Sequence, residues 1–446
     1  MLHLLAISPE KQSGGREIQV LAMMGIMASN PHLNHQSRTA RTTVICLLRW
    51  AKFWRMLAWL IGAWTFSTAC AMETVEVEQS GGKFKIRGEI VVEAVDGGMI
   101  LRDRQGKLWP LKPEEIKNRV TDEVPFSLME AAELGKEILK QLPAGFSVHK
   151  TKHYLICYNT SKAYAQWCGG LFERLFRAYR NYWARRDIAI SAPEMPLVAI
   201  VCKDKQTWRR IAGPEVGTAV DTIDGYYNLI TNRIATYDLT ANPKSVARST
   251  TSRNISEINR LLSQPQAGQL VATVIHEATH QIAFNCGIQQ RLSDVPIWLH
   301  EGMAMFFETP DLRSKKGWRG MGDINLNRLQ QFQNYLQRRP DDSLYTLIAN
   351  GNRVQGRSED PRFQGNRGAL DAYSEAWALT YFLITYEQDA FVNYLKFMSE
   401  KKPGRAESEP QKIEDFKSFF GDLKSLDQAF VERMQREIKR NARRFR

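Results

Sequence analysis

Val271-Ala-Thr-Val-Ile-His-Glu-Ala-Thr-His-Gln-Ile-Ala-Phe284 decides how this chain reads. The run is apolar and free of Gly and Pro, so it predicts a helix. His276 and His280 are four residues apart, which puts both imidazoles on one helical face, one turn from each other. Two imidazoles so placed can hold a single zinc ion. Glu277 lies between them, where a carboxylate can take a proton from a water at the metal. These residue types in this order point to metal-assisted hydrolysis.

Two histidines do not complete a zinc site, because a catalytic zinc takes three protein ligands and leaves one position open. The best third candidate is Glu301, in Pro296-Ile-Trp-Leu-His-Glu-Gly-Met-Ala-Met-Phe-Phe-Glu308. Twenty residues separate His280 from Glu301, enough for one helix to end, a connection to reverse and a second helix to begin. Gly287 suits the end of the first helix and Pro296 the start of the second. His300 competes for the ligand role. Adjacent helical positions point about 100° apart, so His300 and Glu301 are not expected to bind one ion together. Glu308 lies two turns on, on a similar face, as an outer partner of the site or a surface residue.

The two segments together resemble the gluzincin metallopeptidases, in which HExxH supplies two histidines and a base and a Glu on a following helix completes the site. Trp298-Leu-His-Glu-Gly-Met-Ala304 is similar to the W-L-x-E-G-x-A segment of aminopeptidase-like gluzincins, so the resemblance gives Glu301 the third-ligand role. A closer resemblance is to a bacterial group of predicted secreted peptidases, the DUF1570 type, with a later segment like Tyr373-Ser-Glu-Ala-Trp-Ala-Leu379. It covers roughly residues 150–435. Gluzincins often use a tyrosine downstream of the third ligand to stabilise the oxyanion, which nominates Tyr373 beside the base Glu277 as catalytic. The Gly-rich exopeptidase motif of the aminopeptidases has no clear counterpart before HExxH here. Endopeptidase and carboxy-side cleavage therefore both stay open.

The fold class implied is α+β: a zincin-like metallopeptidase fold, with a mixed sheet and active-site helices, preceded by a small all-β unit. The expected divisions are residues 1–71 as an N-terminal extension with a signal peptide, 72–115 as a β domain of SH3 size, and 125–440 as the metallopeptidase domain with a helical C-terminal part. In the β unit, Val75-Glu-Val-Glu78 and Lys83-Phe-Lys-Ile-Arg87 alternate around Gly81-Gly82, and Asp96-Gly97-Gly98 is a hairpin turn. Phe146–Lys150 and His153–Tyr158 read as paired strands, and Pro196–Cys202 as a buried strand. Tyr226–Ile230 and Arg233–Tyr237 read as a hairpin around Thr231-Asn232. In gluzincin-like folds a strand of this kind borders the cleft, so the resemblance implies that a substrate peptide can add to its open edge. Helices are expected near Ser127–Leu142, Ala163–Ala184, Leu326–Arg339 and Leu370–Tyr386, with amphipathic ones to the end. Asn350 to Gly368 reads as a long loop whose Arg353, Arg357 and Arg362 can read a substrate carboxylate or serve solubility.

The chain of 446 residues carries 61 basic and 48 acidic residues, a net charge of +13. Arg38, Arg41, Arg49, Lys52 and Arg55 precede the apolar stretch Met56–Phe66, which ends in Ser67-Thr-Ala-Cys-Ala71. A basic region, a short apolar core and an Ala-x-Ala site read as a secretory signal peptide, with export to the periplasm or outside the cell. Cys70 as a lipid-bearing residue and an uncleaved anchor are the other readings. Cleavage would leave Cys157, Cys168, Cys202 and Cys286, either as one or two disulfides or as buried thiols. The basic tail Arg433–Arg446 can touch a membrane surface or an anionic polymer, or simply be a solvated helix end. No aromatic-basic nucleic-acid motif is present. The expected cofactor is Zn²⁺ and the expected partner a peptide or protein substrate. A zinc amidase acting on cell-wall crosslinks and a non-catalytic envelope-binding protein remain as alternatives.

Overall fold

The computed structural model describes residues 71–79, 81–241, 254–264, 267–309, 321–349, 362 and 366–445. The signal-peptide segment up to Cys70, and Arg353 and Arg357, lie outside the described residues. Among the described residues, no helix is long and apolar enough to cross a membrane.

The chain opens with β1 (Ala71–Gln79), β2 (Gly82–Glu93), β3 (Met99–Asp103), β4 (Leu108–Leu111) and β5 (Ile116–Pro125). They form one antiparallel sheet in the order β4-β3-β2-β1-β5. Val75, Val77, Ile86, Met99, Leu101 and Leu111 make its small core. The alternation in β1 and β2 and the turn at Gly97, with φ of 89°, are as the sequence implies. Among the described residues the sheet stays open, with no β4–β5 pairing. β5, beyond residue 115, joins the sheet by pairing with β1, although it is almost wholly exposed and carries no apolar alternation.

The second sheet is mixed. After α1 (Ala131–Gln141) come β6 (Ser147–Lys150), β7 (Tyr154–Tyr158), α2 (Lys162–Ala184), β8 (Leu197–Cys202), α3 (Lys205–Val216), β9 (Gly225–Asn228) and β10 (Arg233–Tyr237). The order is β6-β7-β8-β10-β9, with β7, β8 and β10 parallel and both edge strands antiparallel. Both faces are covered, so the central strands are apolar throughout. Tyr154, Ile156, Leu197, Ala199 and Val201 face the core shared with α2. Leu155, Cys157 and Val198 face α1, while Ile200 and Cys202 face α3. The four cysteines are buried free thiols. Burial pushes Cys157, Cys202 and Cys286 up to about 12 and Cys168 well above the ordinary thiol range, so all four are protonated.

The remaining elements are helices: α4 (Ile255–Leu262), α5 (Gly268–Asn285), α6 (Ile297–Phe307), α7 (Leu326–Leu336), α8 (Ser343–Ala349), α9 (Asn366–Tyr386), α10 (Gln388–Ser399), α11 (Glu409–Phe420) and α12 (Leu423–Asn441). Every residue of α6 is buried, as is nearly every residue of α5 from Val271 to Ala283. Helices apolar all round must sit inside a protein. The first sheet is tied to the second by Leu108 N–H donating to the Ile230 carbonyl at 2.9 Å, and by Arg291, whose Nη2 reaches the Gly106 carbonyl at 2.8 Å. This is a mixed α+β fold with an N-terminal all-β region and helices that bear a zincin-type cluster.

Candidate metal centre

α5 ends at Asn285, and Gly287 follows with φ of 92°, a conformation that favours glycine. The chain reverses and α6 begins directly after Pro296, as the sequence implies. α6 then packs tightly on α9. A Cβ on Gly302 would lie 2.6 Å from the Ala376 carbonyl oxygen and closer still to Thr380 Oγ1, so only glycine allows this approach. Glu301 is the residue before that contact on α6.

His276, His280 and Glu301 converge, each offering one donor atom, with all three atoms within 4.8 Å of one another. His276 Nε2 is 3.1 Å from His280 Nε2 and 3.1 Å from Glu301 Oε2, and His280 Nε2 is 3.7 Å from Glu301 Oε2. Metal–ligand bonds of about 2.0–2.1 Å at tetrahedral angles place donors about 3.3 Å apart. The observed triangle fits that spacing. His300 is not part of it. Its ring lies 5.3 Å from that of His280, and its Nδ1 is 3.5 Å from Glu301 Oε1, so it borders the cluster instead.

The outer partners were only half legible. Glu308 is buried, and its Oε2 lies 3.1 Å from His276 Nδ1. Its Oε1 accepts from Asn325 Nδ2 at 2.9 Å and from Arg328 Nε at 3.2 Å. With Nδ1 turned to a carboxylate, Nε2 of His276 is the nitrogen that faces the cluster. Glu308 is therefore an outer partner of the site and not a surface residue. Asn325 and Arg328 gave no signal in the sequence, since nothing marks a polar residue on α7 as facing Glu308.

The charges also suit a dication. Glu277, Glu301 and Glu308 are all buried, and Arg328 Nε pairs with Glu308 Oε1 at 3.2 Å. Three carboxylates gathered this closely are costly to bury, and a cation among them would lower that cost. Burial raises the carboxyl of Glu301, but His280, His276 and His300 outweigh it and hold it well below the usual range. Burial lowers His276, but hydrogen bonds to Glu301 and Glu308 override this and hold it at about 10. In the metal-free protein a proton on His276 thus stands where positive charge is needed, and metal would displace it.

Glu277 has no exposed surface, and its Oε2 accepts from the backbone N–H of Tyr227 at 2.8 Å. Tyr227 pairs with Ile234 of β10, yet its N–H turns away from β10 toward α5. The base candidate therefore sits at the outer edge of β9. Tyr373 is buried on α9, one turn before the Ala376 that packs on Gly302. The structure corrects one expectation. Arg362 does not stand ready for a substrate carboxylate: its Nη1 donates to Glu375 Oε2 at 2.5 Å, and to Tyr335 and Ser343 at 2.9 Å. Glu375, which reads as an ordinary helix residue, is a buried hub that also accepts from Arg339 at 2.6 Å.

No curated protein matches the chain. Residues 270–404 match the family model described as a protein of unknown function, DUF1570. That stretch takes in α6, α9 and all of α5 but its first two residues, and so contains His276, Glu277, His280, Glu301, Glu308 and Tyr373.

Proposed function

We propose that this protein is a zinc-dependent peptidase that cleaves peptide bonds with Glu277 as general base, in the cell envelope or outside the cell. One observation carries the reading: a buried His276–His280–Glu301 triangle of tetrahedral spacing, with the neighbouring Glu277 held against the edge of β9. His276, His280 and Glu301 would hold the ion, and Glu308 would orient His276. A bound zinc supplies a Lewis acid that acidifies water and polarises the scissile carbonyl.

The chain's own residues supply the rest. Glu277 takes the proton of the attacking water and returns it to the leaving amine nitrogen. The Tyr227 N–H fixes one oxygen of Glu277, which orients the carboxylate before substrate arrives. In an antiparallel ladder the carbonyl of a residue points the same way as its N–H, so Tyr227 C=O would accept from an extended substrate beside β9. We assign Tyr373 the role of oxyanion donor, on the strength of its place on the helix packed against α6. The basic end of α12 would meet an anionic surface.

The experiment combines zinc analysis with digestion of a mixed peptide library. Wild-type protein holds about one zinc and cleaves, and Glu277→Gln keeps the zinc and stops cleaving. Cleavage by Glu277→Gln at the wild-type rate removes the base assignment. Zinc binding with no peptide cleavage, but release of cell-wall crosslinks, moves the reaction to another amide.

A further inference from the structure

We infer that Gln281 and Asn285 are positioning residues for Glu277, clamping the metal helix to the β9–β10 hairpin so that the base and the edge strand move as one body. The inference rests on the peptidase reading above. Glu277, Gln281 and Asn285 are four residues apart in series, so they line one face of α5. That whole face is hydrogen-bonded to the hairpin and its neighbour strand. Gln281 Nε2 donates to the Asn232 carbonyl at 2.9 Å and to the Val198 carbonyl at 3.1 Å. Asn285 and Asn232 exchange side-chain amide bonds, both at 2.7 Å.

Tyr227 is gripped at both ends. Its N–H donates to Glu277, and its hydroxyl donates to Asn232 Oδ1 at 2.7 Å. Asn232 sits in the left-handed region, with φ of 60°, in the turn directly before the return strand β10. A shift of the hairpin along α5 would break these bonds together. Apolar side chains could fill the same space without desolvating amides, but they lack the directional bonds that select one register. The bonds of Gln281 and Asn285 thus add directional constraints on the distance between Glu277 and the edge strand.

The test uses the full chain and three variants: Glu277→Gln as reference, Asn285→Ala, and Gln281→Met, which keeps side-chain volume and loses both donors. Two readouts are taken: amide exchange of Tyr227 in the metal-free protein, and the pH midpoint of the visible spectrum after loading with cobalt(II). Metal stoichiometry should be unchanged in all three. In Asn285→Ala and Gln281→Met, Tyr227 exchange should rise roughly tenfold or more, and the pH midpoint should move in the same direction as in Glu277→Gln. Exchange that rises evenly along α5 and the sheet, with the midpoint unmoved, reduces both residues to packing and overturns the inference. A midpoint unmoved in Glu277→Gln instead defeats the base assignment, and this inference with it. Should Asn285→Ala not fold, Gln281→Met decides alone.

Discussion

The first sheet and the metal helices use charge in opposite ways. On β1, β2 and β5 most charges sit outside and pair across strands: Lys85 with Glu76 at 2.7 Å, Arg87 with Asp122 at 2.8 Å, Arg119 with Glu93 at 2.8 Å, although Glu73 on β1 is buried against Arg119. Such exposed pairs contribute little, about 0–1 kcal/mol each. Around α5, α6 and α9 the charges are inside. Glu277, Glu301 and Glu375 have no exposed surface at all. Nothing in folding alone favours that, since buried charges cost several kcal/mol and return it only through close partners. The contrast separates charges kept for solubility from charges kept for chemistry or for locking helices together.

That division can be broken by mutation. Glu277→Gln should lower turnover roughly 10²–10⁴-fold at unchanged metal content, measured as kcat on any library peptide the wild type cleaves. Removing the hub carboxylate with Glu375→Ala leaves Arg339 and Arg362 without their shared partner and should cost about 3–5 kcal/mol in urea denaturation. A loss below about 1 kcal/mol would put Glu375 in the same class as the exposed pairs. Glu308→Ala should weaken zinc affinity by about 10–100-fold in chelator competition while the fold persists. An unchanged affinity would show that Glu308 does not orient His276. On the first sheet, Arg87→Ala should change stability by less than about 1 kcal/mol, and a larger change would blur the contrast.

What the sequence showed followed the same line. The metal motif was legible because its spacing is local: four residues set one helical face, and Gly287 and Pro296 mark the reversal that brings Glu301 back. The hairpin at Thr231-Asn232 was legible from alternation and turn chemistry. Strand β5 was not, because a strand exposed on both faces carries no period-two apolar pattern; only its pairing with β1 defines it. The role of Glu308 depends on which way the His276 ring turns and on Asn325 and Arg328 from a later helix, neither of which spacing encodes. Arg362 misled because a loop arginine looks free until the buried Glu375, thirteen residues on, is seen to hold it. Gln281 and Asn285 follow Glu277 at helical spacing, so their shared face could be read from sequence, but not the hairpin it meets.

Zinc stoichiometry of the purified full chain, beside Glu301→Ala, tests the central claim most directly. The account predicts about one zinc per chain in the wild type, bound by nitrogen and oxygen donors, and its loss when the Glu301 carboxylate is removed. A wild type that binds no zinc at micromolar free metal, or a Glu301→Ala protein that binds it equally well, would contradict the account.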